Sequence, residues 1–223
     1  MAASAGILVE EEGFFFDLQP GDLLLKKIYT KDPVGYIIGL GQMVTQGSRH
    51  ANYVHAAIAV GKDQIVEAQK EGMVLKQLDE NKDFKYKVFR YKDPDLAQEV
   101  AKWAQGQIGV KYAFGEAFSS ILATEKEEKE TKERKPKRED EVPLTTEDTE
   151  KKETKYMGKP EPKQLFCSQA PVMGYNQVSY KRGQPALIPI DPEKANPSKL
   201  YGYLKKSGGW EMVAKLKWKK LDS

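Results

Sequence analysis

The chain holds a single cysteine, Cys167, and two histidines, His50 and His55. A thiol acts as a nucleophile through its thiolate, and a nearby base helps to form it. Histidine is the usual base, and a carboxylate behind it orients the ring and favours its charged form. Cys167, His55 and Glu67 offer that combination. Upstream of Cys167, Lys159-Pro160-Glu161-Pro162 is non-helical. A helix opening at Cys167 or Ser168 would point its free amide groups at the sulfur, and the same amides suit a developing oxyanion. Pro171 then falls in or near the first turn, where its missing N–H is tolerated. The competing reading of a lone intracellular cysteine is a small buried apolar residue.

These groups need a scaffold. His55 lies in the apolar run Tyr53 to Val60, which reads as a strand. With a period of two, His55 shares a face with Ala57 and Ala59, whose small side chains leave room beside the ring. Gly61-Lys62-Asp63 is a hairpin turn, and its return strand, Gln64 to Ala68, brings Glu67 within reach of His55. His50 falls in Gly47 to Asn52 and reads as an exposed loop residue.

Further strands are expected at Leu23 to Leu25, behind the turn Pro20-Gly21-Asp22, at Met73 to Leu75 and at Tyr86 to Tyr91. Residues 33–46 and Phe114 to Ala123 read as short helices. Asp93-Pro94-Asp95 opens another, ending near Gly106 or Gly109. A last strand, Met212 to Trp218, carries Lys215, Lys217 and Lys219, a pattern that protects an open sheet edge. The order of elements predicts an α+β fold with a mainly antiparallel central sheet packed against helices.

Composition bounds the function. The 223 residues include 36 Lys+Arg against 33 Asp+Glu, a net charge of +3, which does not suit a dedicated nucleic-acid binder. No apolar run approaches the roughly 20 residues of a membrane-spanning helix. One cysteine excludes an internal disulfide framework and a Cys-rich zinc site, and two histidines argue against a histidine metal cage. No metal or cofactor is expected.

Between residues 125 and 163, 25 of 39 positions are charged, 13 acidic and 12 basic. Such a segment buries too little surface to offset its chain entropy. It reads as a solvated, partly disordered insertion within one domain spanning 1–223, and as a candidate arm for a protein partner. The start, Met1-Ala2-Ala3-Ser4-Ala5, has no positive charge, and Glu10, Glu11 and Glu12 break the apolar stretch. No secretory signal is read there. The expected location is cytoplasmic unless a specialised, signal-independent system exports the protein.

The ordered motifs Pro20-Gly21-Asp22, Tyr53-Val54-His55-Ala56-Ala57-Ile58, Ile65-Val66-Glu67-Ala68, Gly109-Val110-Lys111-Tyr112 and Phe166-Cys167-Ser168-Gln169 resemble the circularly permuted branch of the NlpC-type papain-like superfamily. That branch includes YiiX/YebB-like amidases and, more distantly, lecithin:retinol acyltransferases. Ala195 to Leu200 resembles the family's closing Pro-Ser-x-Leu segment. The likeness runs from about residue 18 to 202 and skips the insertion. It implies a papain-like fold with Cys167 as nucleophile, His55 as base and then acid, and Glu67 as the group orienting His55. It further implies that Tyr112 and Ser168 line the substrate or oxyanion site. Gln169 stands where the family has Glu, and Pro171 where it has an unbroken helix.

The activity implied is a cysteine hydrolase cleaving an amide, in peptidoglycan peptides or another peptide or isopeptide, and an exported effector is one setting for it. A thiol acyltransferase or lipid-active enzyme is the alternative, with Lys215 to Lys220 touching an anionic membrane. A third reading is a non-catalytic interaction protein on the same fold.

Overall fold

The computed structural model describes residues 6–10, 16–27, 53–78, 85–112 and 164–220. Seven strands form one antiparallel sheet: β1 (Gly6–Glu10), β2 (Leu23–Lys27), β3 (Tyr53–Ala59), β4 (Gln64–Gln69), β5 (Gly72–Gln77), β6 (Lys85–Tyr91) and β9 (Trp210–Lys220). Their order is β1-β9-β6-β2-β3-β4-β5. A separate parallel pair joins β7 (Lys111–Tyr112) to β8 (Gln164–Leu165). Three α-helices, α1 (Pro94–Gly106), α2 (Gln169–Lys181) and α3 (Pro197–Lys206), and a short 3-10 helix (Pro192–Lys194) complete the described elements. The architecture is α+β with an antiparallel central sheet.

Alternation along the strands divides the core in two. Leu23, Leu25, Ala56, Ile58, Val66 and Phe89 pack with the buried faces of the helices. Leu24, Ala57, Ala59, Ile65, Tyr86, Val88, Ala214 and Leu216 form a second cluster on the other face. Helix starts follow local chemistry. The Asp93 carboxylate accepts from Leu96 N at 2.9 Å and Pro94 follows it; Asn196 Oδ1 accepts from Lys199 N at 2.8 Å and Pro197 follows it.

Two expectations change. The last strand runs from Trp210 to Lys220 and is no sheet edge, because β1 pairs along its outer side. Its lysines therefore have no open edge to protect there. The strand Gly6–Glu10 escaped the sequence reading because GILVE is short and precedes a glutamate run. The expected helices at 33–46 and 114–123, His50 and the segment 125–163 lie outside the described residues.

The Pro20-Gly21-Asp22 turn ties three elements together. Gly21 has φ of +89°, and an added Cβ would lie 2.4 Å from the Ala97 carbonyl oxygen in α1. Asp22 is buried and accepts from Gln19 N and, through both oxygens, from the Arg90 guanidinium at 2.7 and 2.8 Å. Tyr175 Oη, on α2, donates to the Gly21 carbonyl at 2.7 Å. Helix α2 also lies close against α1: a Cβ on Gly174 would meet the Trp103 ring at 2.7 Å. The turn thus helps to fix the helix that follows Cys167. Gly21→Ala combines a left-handed backbone with a clash against main chain, so urea denaturation should show a loss of roughly 2–4 kcal/mol.

Candidate active site

His55 sits where the sheet is irregular. The β2–β3 register shifts between Lys26 and Lys27, so that Lys26 faces His55 while Lys27 faces Tyr53. A bulge of this kind re-aims the side chains beside it. On the other edge of β3, pairing with β4 stops at Ala57 opposite Glu67. Val60 N bonds to Gln64 O, so alternation turns the N–H groups of Ile58 and Ala56 toward the same edge. Ala56 lies beyond the last β4 pair, and its N–H bonds instead to the Cys167 sulfur. The thiol is seated where the β3–β4 ladder has ended.

Cys167 lies in the turn entering α2. Gln169 N and Ala170 N both bond to the Phe166 carbonyl, at 3.0 and 3.2 Å. Gln169 Oε1 accepts from Phe166 N at 3.3 Å, reaching back as a capping side chain does. A glutamine fills that role without adding a negative charge near the thiolate. Pro171 is the third helical residue, where an N–H has no partner within the helix. The Ser168 main-chain N–H bonds to the sulfur, but its buried hydroxyl donates to the Ala195 carbonyl at 3.0 Å. Ser168 therefore serves the site through its amide; its hydroxyl anchors the segment before α3.

A line of hydrogen bonds runs inward from the sulfur. The His55 ring bonds to Cys167, and its Nε2 lies 2.8 Å from Glu67 Oε2. With Nε2 so engaged, Nδ1 is the ring nitrogen left for the sulfur. Glu67 accepts from Gln69 Nε2 through its second oxygen, Oε1. The carboxylate at the inner end is the most buried, 1% exposed, against 9% for Cys167 and 19% for the His55 side chain. The thiol and ring keep a narrow face to solvent, while the carboxylate is sealed.

The charges follow from these contacts. Burial opposes ionisation of His55, but Glu67 and the sulfur outweigh it and raise its pKa to about 10. Burial likewise opposes a charged Glu67; His55, Lys26 and Gln69 nevertheless hold its pKa at about 2. For Cys167 burial pushes the pKa up, yet His55 and the amides of Ala56 and Ser168 bring it below the ordinary thiol value. These contacts favour the thiolate–imidazolium form of the pair, with a carboxylate behind it. Tyr112, on β7, is near enough to feel the sulfur's charge; burial, and then that charge, keep its hydroxyl protonated. Gly72 has φ of +121°, and a Cβ there would lie 2.4 Å from Val110 O. Met73 N bonds to the same oxygen at 2.7 Å, which fixes the approach to Tyr112.

No family model matches the chain, and no curated protein is detectably similar to it in sequence. The site therefore rests on its own geometry. Cys167, His55 and Glu67 come together across 112 residues of chain, with Tyr112 beside them. Sequence reading missed three contributors: the Ala56 amide, Gln69 and Lys26. Backbone amides leave no mark in a sequence. Gln69 and Lys26 carry a readable signal, since one lies two residues after Glu67 on its strand and face, and the other faces His55 once β2 and β3 are paired.

Two pH profiles follow. Because the thiolate exists below the ordinary thiol pKa, iodoacetamide should alkylate Cys167 at pH 6–7 faster than an unstructured cysteine. His55→Ala should restore an ordinary thiol profile; an unchanged profile would break the pairing of ring and sulfur. For stability, a raised His55 pKa contributes fully below 6.5 and is lost as pH climbs to about 10. A lowered Cys167 pKa contributes fully above 9.0 and is lost as pH falls through its folded value. Below 9.0 the two slopes have opposite signs wherever both groups titrate. Lowered Glu67 contributes fully above 4.5 and is lost toward about 2. Urea midpoints should therefore fall as pH rises above 9.0, where only the His55 slope is left. Cys167→Ala should remove the opposing slope, so that the fall steepens between pH 6.5 and 9.0.

Proposed function

We infer that the chain is a cysteine hydrolase that cleaves an amide bond through an acyl-thioester. The observation that carries this reading is the His55 ring held between the Cys167 sulfur and the sealed Glu67 carboxylate, 2.8 Å from its Nε2. A buried structural cysteine has no use for a charged ring and two aimed amides. The antiparallel sheet with Cys167 at a helix entrance and His55 on a strand also agrees with the motif resemblance to permuted NlpC-type papain-like enzymes. That resemblance favours a peptide amide, in peptidoglycan or another peptide, as substrate.

The reaction begins with the Cys167 thiolate attacking the carbonyl carbon. A sulfur–carbon bond forms, and the carbonyl π electrons move onto oxygen. The amides of Ala56 and Ser168, no longer holding an anionic sulfur, and the protonated Tyr112 hydroxyl are the nearby donors for that oxygen. The tetrahedral species collapses, the carbon–nitrogen bond breaks, and the proton on His55 passes to the leaving nitrogen. Neutral His55 then takes a proton from water as the water attacks the thioester. The acid is released, and the thiolate–imidazolium pair is restored. Glu67 keeps one ring orientation throughout and stabilises each charged stage. An amine or alcohol in place of water would give acyl transfer by the same steps.

Purified peptidoglycan fragments and a panel of peptide amides are the substrates to test, with mass spectrometry to find an adduct on Cys167. Cys167→Ala should abolish both adduct and turnover. His55→Ala should lower kcat/KM by roughly 10³-fold or more, and Glu67→Gln by about 10²–10⁴-fold, with the loss mainly in kcat. Turnover that survives Cys167→Ala would remove the nucleophile from this scheme.

A further inference from the structure

Tyr86 is 2% exposed, and its hydroxyl has no hydrogen-bond partner among the described residues. A buried polar group without a partner costs stability, and a phenylalanine would fill the same space without that cost. Tyr86 pairs with Lys26, and Lys26 pairs with His55, so the three form one row across β6, β2 and β3. Residues paired across strands lie on one face of the sheet. Glu67 lies on that face too, opposite Ala57 and diagonal to His55. Lys26 is half-buried, and its Nζ lies 6.0 Å from the centre of the Tyr86 ring. Burial, and then the Glu67 charge, keep the Tyr86 hydroxyl protonated. A hydroxyl dipole turns in the local field, so the carboxylate attracts its hydrogen. Other charged or titratable groups border the area. Lys76 on β5 is half-buried and diagonal to Glu67, and Glu10 holds the β1 position of the Tyr86 row. Cys167 and Tyr112 lie on the thiol side of His55.

In the proposed hydrolase reaction, on which this inference rests, His55 becomes neutral once its proton has left with the amine. Glu67 then loses its nearest positive partner while still sealed from water. A proton taken up by Glu67 would be donated to Nε2, and the ring's own proton would sit on Nδ1. That ring has no lone pair on the thiol side and could not accept a proton from the attacking water. We propose that Lys26 and Tyr86 are positioning residues that keep Glu67 charged through this neutral stage. They act through Glu67, not on the thioester. The ammonium is a positive charge that stays when the ring gives up its proton, and the hydroxyl adds its dipole on the same face. Both come from strands other than those that carry His55 and Glu67, so they hold the carboxylate independently of the ring.

Capping Cys167 with iodoacetamide leaves a sulfur without charge, as in the acyl-thioester, and requires no turnover. The His55 ring signals of the capped protein can then be titrated by NMR, since the chain has two histidines. Lys26→Met should move the His55 titration to higher pH by roughly 0.5–1, because a nearby positive charge opposes proton uptake. Lys26→Arg should leave it at the wild-type position. Tyr86→Phe should move it the same way by less, and its urea midpoint should not fall, because the hydroxyl removed has no partner. A tyrosine kept for structure would lose stability instead. In a Glu67→Gln background Lys26→Met should lose most of its effect, as expected of a residue acting through the carboxylate. The proposal is overturned by a titration that neither Lys26→Met nor Tyr86→Phe moves, by an equal shift in the Glu67→Gln background, or by a shift that Lys26→Arg produces as fully as Lys26→Met. Each of these results strikes this inference alone, whereas turnover that survives Cys167→Ala strikes the hydrolase reading.

Discussion

A carboxylate removed from water must be matched by charge or hydrogen bonds, and Glu67 imposes that requirement on everything around it. It sits opposite Ala57, on the third residue pair from the hairpin turn and diagonal to His55, with Gln69 and Lys26 on neighbouring positions. Its negative charge is retained because His55, Lys26 and Gln69 converge on it. A charged Glu67 in turn favours a charged His55, and a charged His55 lowers the Cys167 pKa. The direction of influence runs from the sealed end to the solvent-facing end. Each member is less buried than the carboxylate behind it, so the most costly charge is placed where it is best compensated.

The backbone supplies what side chains alone do not. Two amides point at the sulfur, one from β3 and one from the entrance to α2. The first is available because the β3–β4 ladder ends one residue earlier. The second is available because the chain turns into a helix there. Both depend on α2 being held against the sheet. That placement is enforced by Tyr175 reaching the Gly21 carbonyl and by the close fit of Gly174 under Trp103. The Pro-Gly-Asp turn, far from the sulfur in sequence, thereby shares in setting the position of the Cys167 thiol.

The lysines of β9 show how the same residues change meaning with topology. As an edge strand they would discourage aggregation; inside the sheet they stand opposite other lysines and weaken the pairing. The difference was made by β1, a five-residue strand whose pattern was too short to identify. Strand membership is a local property, whereas edge or interior status is a property of the whole sheet.

Much of this protein was already fixed by residue type and spacing. A single thiol, a histidine in an apolar strand and a glutamate on the return strand limit the chemistry, and the hairpin at Gly61-Lys62-Asp63 brings the last two together through local geometry alone. The helix start at Asp93 was likewise legible, because a cap acts within three residues. The meeting of Cys167 with His55 was left to the tertiary structure, as were the bulge at Lys26 and Lys27, the Ala56 amide and the interior place of β9. Those features depend on contacts between segments far apart in the chain, and local periodicity carries no information about which distant surface a strand or helix end will meet.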